Sequence, residues 1–598
     1  MFNPYLKDEP KKYITIKQLI EEGAHEEALQ LIDEFKEKGD YSIRDIILYN
    51  LLECEILFQQ GLFNDLFNLA EETYKKSLGR GDTFLSIDTL LHMVEALIFL
   101  WVEKKAEKLI TQAEDLLKTY TQKPSIEYKL RKAHIFLVKA TFFAWIKTDA
   151  DKAMEYLEYS IELYKECDAK KNVGISLLIK IHVLFFLKGE FNNALKLAKQ
   201  TLAIFEERHN KYWSTIVLLV MGSIYGLKGD FDRSLKLCEQ SLAKFKELNN
   251  KFYIATVFNF MGGNFLKKGE LDKALVYLEQ SSTIFNELGT LTYVLNNYDY
   301  IIQILIEKGD IERAQQYLDQ MEQINYQLKD PTADITFLFN KALLLKTSRR
   351  ATKRGESEEI LKQILNKGGV NYELTVAVLL NLCELLLIEL QMLNDLEILE
   401  DLESYINQLL DLAETSHSYI LLAEIYYLKG KLALLTLNIK NAHRFLTQAQ
   451  QIAERWNFNQ LATKIYIEHN NLNNQIGMWE GLKDVNVSME ERIKLAGVDK
   501  QLYHLLRNRS ELIIHVEEEK VSIHEERKVC LVCKGEISGF MFSCKCNAIY
   551  CENCARALTD LENVCWICNT PIDASKPSKP YGEEKVKEKD VTIKNSKK

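Results

Sequence analysis

Apolar residues recur along this chain at helical spacing. In Ala274-Leu275-Val276-Tyr277-Leu278-Glu279-Gln280-Ser281 they line one side, with charged residues on the other, which is the pattern of an amphipathic helix. Prolines agree. Between residues 11 and 570 only Pro124 and Pro331 occur. Proline breaks helix interiors and marks turns, so its near-absence predicts long helices joined by short connections. The body of the chain is expected to be all-α.

The pattern also repeats. Lys188-Gly189-Glu190, Lys228-Gly229-Asp230, Lys268-Gly269-Glu270 and Lys308-Gly309-Asp310 recur every 40 residues. Each is followed by a small residue at one fixed place, namely Ala194, Ser234, Ala274 and Ala314. A glycine at a helix end can take the left-handed conformation that stops the helix and turns the chain. The small residue lets the two helices of a pair pack closely. Weaker versions stand at Glu22-Gly23-Ala24, Gln60-Gly61-Leu62 and Asn438-Ile439-Lys440-Asn441-Ala442. A period near 40 built from two helices predicts an α-solenoid.

The unit from Met221 to Phe245 resembles a tetratricopeptide repeat through Gly222, Tyr225, Gly229, Phe231 and Ser234. The next unit resembles it through Gly262, Phe265, Gly269, Leu271 and Ala274. The period of 40 rather than about 34, and the missing closing proline, are similar to the long-period branch found in bacterial and archaeal regulators. The resemblance implies a right-handed solenoid over roughly residues 10 to 480, with about a dozen units and a concave surface along the first helices. In this register Thr256, Asn259, Asn296, Asp299 and Gln303 face the groove. Polar side chains there either bind the backbone of a protein or peptide partner, or form a solvated face. The run Lys346, Arg349, Arg350, Lys353, Arg354 interrupts the helical pattern and reads as an extended loop.

Charge and composition narrow the function classes. With 76 Lys+Arg against 86 Asp+Glu the net charge is −10, which argues against nucleic acid as the main partner. The longest purely apolar run, Ala96 to Val102, lies between Glu95 and Glu103. It falls far short of the ~20 residues of a spanning helix, so no membrane partner is expected. The first residues carry no apolar leader, and a cytoplasmic location is expected. No phosphate-cradling glycine loop, nucleophile elbow or zinc-protease motif is present, and no catalytic residue is assigned.

The cysteines carry the chemistry. Cys54, Cys167, Cys238 and Cys383 stand singly in the helical region and read as small buried hydrophobes. The other eight fall within 39 residues: Cys530, Cys533, Cys544, Cys546, Cys551, Cys554, Cys565 and Cys568. As pairs they are C-x2-C, C-x-C, C-x2-C and C-x2-C. Two such pairs complete one tetrahedral thiolate site, so eight ligands imply two zinc ions. Disulfides fit poorly with the expected compartment. Iron–sulfur clusters draw on other spacings. With all pairs complete, no position is left for the bound water of a catalytic zinc. Spacing alone leaves open whether consecutive or alternating pairs share a metal.

The segment resembles the RING finger family: first and third pairs C-x2-C, a short second pair, and Ala555-Arg556-Ala557-Leu558 opening a helix before the last pair. The resemblance implies the alternating cross-brace, with one zinc on Cys530, Cys533, Cys551 and Cys554 and the other on Cys544, Cys546, Cys565 and Cys568. It further implies a non-covalent ubiquitin-type ligase that holds a ubiquitin-conjugating enzyme through Val532, Leu558 or Leu561, Trp566 and Ile567. The other reading of those residues is a miniature core packed around the metals. Three features depart from the family: the C-x-C pair, the longer gap from Cys546 to Cys551, and Asn569 after the last ligand.

The domain organisation expected from these readings is an array over 1–482, a connector over 483–526, the finger over 527–572 and a disordered Lys-rich tail over 573–598. In the connector Met489 to Arg509 reads as one helix. Ile513 to Val516 and Val521 to Ile523 read as a small hairpin, with His515 and His524 as stray candidate ligands.

Overall fold

The structure is a computed structural model. It describes residues 11–37, 42–120, 125–188, 190–228, 230–367, 372–393, 395, 397–416, 418–456, 458–482, 487–507, 512, 530–535, 537, 540–546, 548–561, 564–571 and 579–580. The expected hairpin at 513–523, with His515 and His524, lies outside them. The chain forms two compact units, Met1–Val370 and Asn371–Lys598, so the division falls inside the stretch expected to be one array.

Unit one is a run of antiparallel helices, each packed on its neighbours. They are α1 (Lys11–Glu22), α2 (His25–Glu37), α3 (Ile43–Gln60), α4 (Phe63–Arg80), α5 (Thr83–Phe99), α6 (Glu103–Lys118), α7 (Ile126–Trp145), α8 (Ala150–Glu166) and α9 (Lys170–His182). A π-helical turn, Val183–Leu187, prolongs α9. There follow α10 (Phe191–Glu207), α11 (Lys211–Leu227), α12 (Phe231–Glu247), α13 (Lys251–Lys267), α14 (Leu271–Glu287), α15 (Leu291–Lys308), α16 (Ile311–Leu328), α17 (Pro331–Lys346) and α18 (Ala351–Asn366).

The repeat signals act as the sequence implies. Gly269 and Gly309 have φ of 77° and 76° and end their helices, while Gly189 and Gly229 lie outside the described residues. Asp230 and Asp310 then cap the next helix through the backbone N–H of Arg233 and Arg313. Ala194, Ser234, Ala274 and Ala314 are fully buried. Twelve residues before the small residue, Gly222 and Gly262 leave room for it. A methyl group on Gly262 would lie 2.7 Å from Leu278, and the Ser234 hydroxyl donates to the Gly222 carbonyl at 2.7 Å.

A second series of turns joins one helix pair to the next. His209, Asn249, Gly289 and Lys329 stand 40 residues apart, with φ of 53°, 54°, 67° and 50°. Trp101, Thr148 and Leu437, also at positive φ, close helix pairs that carry no glycine signal. The basic run is corrected. Lys346 ends α17, only residues 347–350 are non-helical, and Lys353 and Arg354 lie within α18, where Arg354 donates to the Ser348 carbonyl.

The first unit also closes on itself. A methyl group on Gly23 would lie 2.3 Å from Leu248, and one on Gly61 would lie 2.3 Å from Phe252. The Asn250 side-chain amide donates to the Gln59 carbonyl, and Asn64 donates to the Leu288 carbonyl at 3.3 Å. Phe63 meets Phe252 edge-on at 5.0 Å, and Phe58 lies 6.3 Å from Trp213. The helix ends around α3 and α4 therefore pack on the starts of α11, α13 and α15.

Unit two contains α19 (Tyr372–Leu393), α20 (Glu397–Thr415), α21 (Tyr419–Leu435), α22 (Ile439–Arg455), α23 (Asn459–Asn474), α24 (Ile476–Gly481), α25 (Met489–Ala496) and α26 (Val498–Arg507). The pair α21 and α22 repeats the local geometry of the first unit, with Gly430 against Leu446 and Ala442. The helix expected over Met489 to Arg509 is two helices, because Gly497 takes φ 61° between them. By length and composition Leu374–Leu393 of α19 is apolar enough to cross a membrane. Two-thirds of that stretch is buried, and α19 packs on α20, α25 and α26, as a core helix does.

The unit ends in β1 (Phe540–Ser543), β2 (Ile549–Cys551), α27 (Glu552–Leu561) and β3 (Lys579–Pro580). The strands form an antiparallel sheet in the order β2-β1-β3, with Phe542 opposite Tyr550 and Met541 opposite Lys579. Lys579 and Pro580 fall in the segment expected to be a disordered tail. Edge pairing to β1 orders them, and the rest of that segment lies outside the described residues.

Candidate metal centre and repeat groove

Both outer C-x2-C pairs sit in the same tight turn. Lys534 N–H donates to the Cys530 carbonyl at 3.0 Å, and Asn569 N–H donates to the Cys565 carbonyl at 2.8 Å. The residue after each pair, Lys534 or Asn569, is left-handed with φ of 57° or 56°. Strand β1 delivers Cys544, strand β2 delivers Cys551, and the first turn of α27 holds Cys554.

Among the described residues two groups of potential metal ligands form. Cys530, Cys533, Cys551 and Cys554 are one, and Cys544, Cys546, Cys565 and Cys568 are the other, the sulfurs of each group lying within 4.8 Å of one another. Cys533 and Cys551 sulfurs are 3.8 Å apart, Cys546 and Cys565 3.5 Å, and Cys544 and Cys568 3.3 Å. A tetrahedral zinc with Zn–S bonds of about 2.3 Å separates its ligands by about 3.8 Å. The thiol sets therefore fit one zinc each, and their alternating order along the chain is that of a cross-brace. Bound there, zinc would act as a structural cross-link, since each set already offers four thiolates.

Sulfur also receives hydrogen bonds. Cys551 N–H donates to Cys530 sulfur at 3.3 Å, and Tyr550 hydroxyl lies 3.1 Å from Cys565 sulfur. These contacts favour thiolate over thiol. The single cysteines differ. Cys54, Cys167, Cys238 and Cys383 are buried, and burial pushes the Cys238 thiol up to about 12, so they act as apolar side chains.

The residues expected to bind a conjugating enzyme divide. Val532 and Leu558 are fully buried, in a cluster with Ile537, Phe542, Tyr550 and Ala555. This corrects the surface role expected for them: a module this small must use the apolar residues between its ligands as its core. Trp566 is half-buried, Ile567 is 59% exposed, and Leu561 ends α27.

The module is seated on the helices of its own unit. Arg444 donates to the Asn569 side-chain oxygen at 3.3 Å, and the Gln451 side-chain oxygen accepts from the Cys554 thiol at 3.5 Å. Arg455 sits where a methyl group on Gly535 would be, 2.7 Å away. Arg444, Gln451 and Arg455 are seven and four residues apart on α22, one face of a helix. Glu414 of α20 adds an ion pair to Lys534 at 2.9 Å.

In unit one the groove residues form a ladder across α13, α15 and α17. Asn259 donates to Asn297 at 2.5 Å, and Asn297 donates to Ser281 at 2.9 Å. Asp299 accepts from Gln303 and from Asn340, both at 2.8 Å. Thr256 donates to the Phe252 carbonyl, and Asn296 is exposed. Sequence reading missed the buried Asn297 and Asn340. The 40-residue step from Asp299 reaches Phe339, so the repeat spacing gave no signal for Asn340.

The sequence also gave no sign of an ionic cluster on the inner helices. Lys171 bridges Glu21 at 3.3 Å and Glu55 at 3.1 Å. Burial alone would raise the Glu55 carboxyl, but the Lys171 ammonium outweighs it and holds the group at about 2. Glu95 lies between His92 and His134 at 3.0 and 3.1 Å. Its carboxyl is likewise depressed, the two histidine hydrogen bonds overcoming burial. Arg131 pairs with Asp88 at 2.6 Å.

Comparison with known proteins finds the repeats. Residues 213–287, which run from α11 to the end of α14, match the tetratricopeptide repeat family model. No curated protein matches the chain. Among solved structures the chain is similar to a Rap protein complexed with Competence and Sporulation Factor, at 14% identity and TM-score 0.45, over 62% of this chain and 98% of that one. It is similar to the apo form of the quorum sensor NprR from B. thuringiensis, at 16% identity and TM-score 0.43, over 62% and 99%. It is also similar to yeast Tom70, at 13% identity and TM-score 0.32, over 67% and 91%.

Proposed function

We propose that this protein is an interaction scaffold in which the helical repeats hold a protein or peptide partner and a two-zinc finger supplies a second docking surface. The observation that carries the reading is the polar ladder Asn259–Asn297 and Asp299–Asn340 on successive first helices, within and beside the stretch that matches the repeat family. The buried Asn297 and Asn340 position the half-buried Asn259 and Asp299, and polar side chains so spaced along a solenoid match the backbone groups of an extended chain. In a reducing compartment such as the cytoplasm the eight thiols would hold metal rather than pair as disulfides. The test is selection of a displayed random-peptide library on the full chain. Enriched peptides should lose about tenfold or more in affinity against Asn259→Ala and Asp299→Ala. Equal binding by these variants would overturn the groove.

The finer reading is a ubiquitin-type ligase, in which partner and ubiquitin-conjugating enzyme are held on one chain at high effective concentration. It is supported by the alternating thiol sets, by α27 between the third and fourth pairs, and by the exposed Ile567 beside Trp566. In a reconstituted ubiquitin-transfer assay Ile567→Ala should abolish stimulation while zinc content stays at two per chain. With no stimulation by the unmodified chain across a panel of conjugating enzymes, the finger is a docking module only.

A further inference from the structure

The two thiol sets are not equivalent, and the difference lies in their surroundings. In the first set Cys530, Cys533 and Cys554 are buried and Cys551 is half-buried. Its Cys554 sulfur is covered by the Gln451 side-chain oxygen, and the turn that carries Cys530 and Cys533 is pinned by Arg455 at Gly535 and Glu414 at Lys534. In the second set only Cys565 is buried. Cys544 and Cys546 are half-buried, and Cys568 is exposed. The Cys544 and Cys568 sulfurs are the pair 3.3 Å apart, so two of the more accessible thiols are already in contact.

We propose that the second set is a peroxide-sensitive zinc site, released by formation of a Cys544–Cys568 disulfide while the first set keeps its metal. This rests on the two-zinc reading above. The steps balance. The Cys568 thiolate attacks one oxygen of hydrogen peroxide, the O–O bond breaks, and a sulfenic acid and one hydroxide result. The Cys544 thiolate then attacks the Cys568 sulfur, the S–S bond forms and the S–O bond breaks, and a second hydroxide leaves. Two electrons pass from the two sulfurs to one peroxide. The metal, left with Cys546 and Cys565 alone, departs as the free ion. Accessibility selects the site, because oxidation of thiolates follows exposure.

The consequence bears on docking. Trp566 and Ile567 lie in the turn between Cys565 and Cys568, so loss of the second zinc frees the part of the finger that carries exposed apolar surface. This second turn keeps one hydrogen bond to α22, from Arg444 to Asn569, while the first stays seated through Arg455 and Glu414.

The test uses the full, zinc-loaded chain. Native mass spectrometry first counts the metal; fewer than two zincs per chain overturns the two-zinc reading and this inference with it. With two present, hydrogen peroxide is added and zinc release is followed with a chromogenic chelator. One equivalent should leave first, with the second at least about tenfold slower. Peptide mapping at the first plateau should find a Cys544–Cys568 disulfide. A Gln451→Ala, Arg455→Ala variant should hasten the second release and leave the first unchanged. Release of both metals at one rate, or a first disulfide within Cys530, Cys533, Cys551 and Cys554, would overturn the proposal.

Discussion

The repeat array and the cysteine module solve the problem of stability in opposite ways. In the array every helix lays an apolar stripe on its neighbours, and Leu90, Ile87, Ala194, Ala274 and Leu278 are each fully buried. Burial at roughly 25 cal/mol per Å2 accumulates along the chain, so damage to one hairpin is local and graded. The module has a handful of core residues around eight thiols. Its apolar burial is small against the entropy of ordering it, and metal held by the two thiol sets would make up the difference. One region fails in parts. The other would depend on bound metal.

Chelation is the strongest way to break this comparison. Structural zinc contributes on the order of 10–16 kcal/mol in isolated zinc-finger peptides. Removing it should therefore erase hydrogen-exchange protection over 530–571, while the far-ultraviolet helical signal of the array persists. Collapse of both together would mean that the array depends on the metal.

Within the array, Lys171→Met should have the largest effect of a single substitution. It strands Glu21 and Glu55 without their cation, and a buried pair broken on one side costs about 3–5 kcal/mol. The urea midpoint of the first unit should fall accordingly, while zinc content is unchanged. Acid should reach the same cluster. The Glu55 and Glu95 carboxyls are depressed in the folded chain, so their stabilisation is complete above the ordinary carboxylate range and is lost as pH falls toward about 2. Urea midpoints measured between pH 7 and pH 3 should drop for the parent chain, and drop less for Lys171→Met.

The finest comparison sets two glycines against each other. At Gly309 a methyl group meets nothing within 4 Å, so Gly309→Ala costs only its left-handed backbone, about 1 kcal/mol. At Gly61, with the same φ of 76°, the methyl group would strike Phe252, and about 1–3 kcal/mol of overpacking is added. Equal melting temperatures for the two variants would show that the closure contributes nothing.

Much of this architecture was legible in the residues, for identifiable reasons. Glycine at 269 and 309 announces its turns because only glycine adopts that conformation freely. His209, Asn249 and Lys329 make equivalent turns with exposed side chains and no glycine to mark them, closed by backbone hydrogen bonds such as Asn210 N–H to the Phe205 carbonyl and Asn250 N–H to the Phe245 carbonyl. The cysteine pairs were legible because thiolates one or two residues apart can share one ion from a tight turn, whereas which pairs combine depends on the fold and not on spacing. Val532 and Leu558 allowed two readings, docking surface or miniature core, and the structure selects the core. Spacing shows where an apolar residue falls between ligands but not which side of a small module it faces. The meeting of Gly61 with Phe252 was beyond reach, because it depends on how small rotations add up over many helix pairs.

That meeting has an evolutionary corollary. Gln59 and Asn250 are 191 residues apart and touch. An open spiral can gain or lose a hairpin by tandem duplication or deletion and remain the same kind of object. A loop whose two sides must find each other cannot. The number of hairpins between α3 and α13 is therefore fixed by geometry, and length variation among descendants of this chain should be confined to the stretch beyond α15.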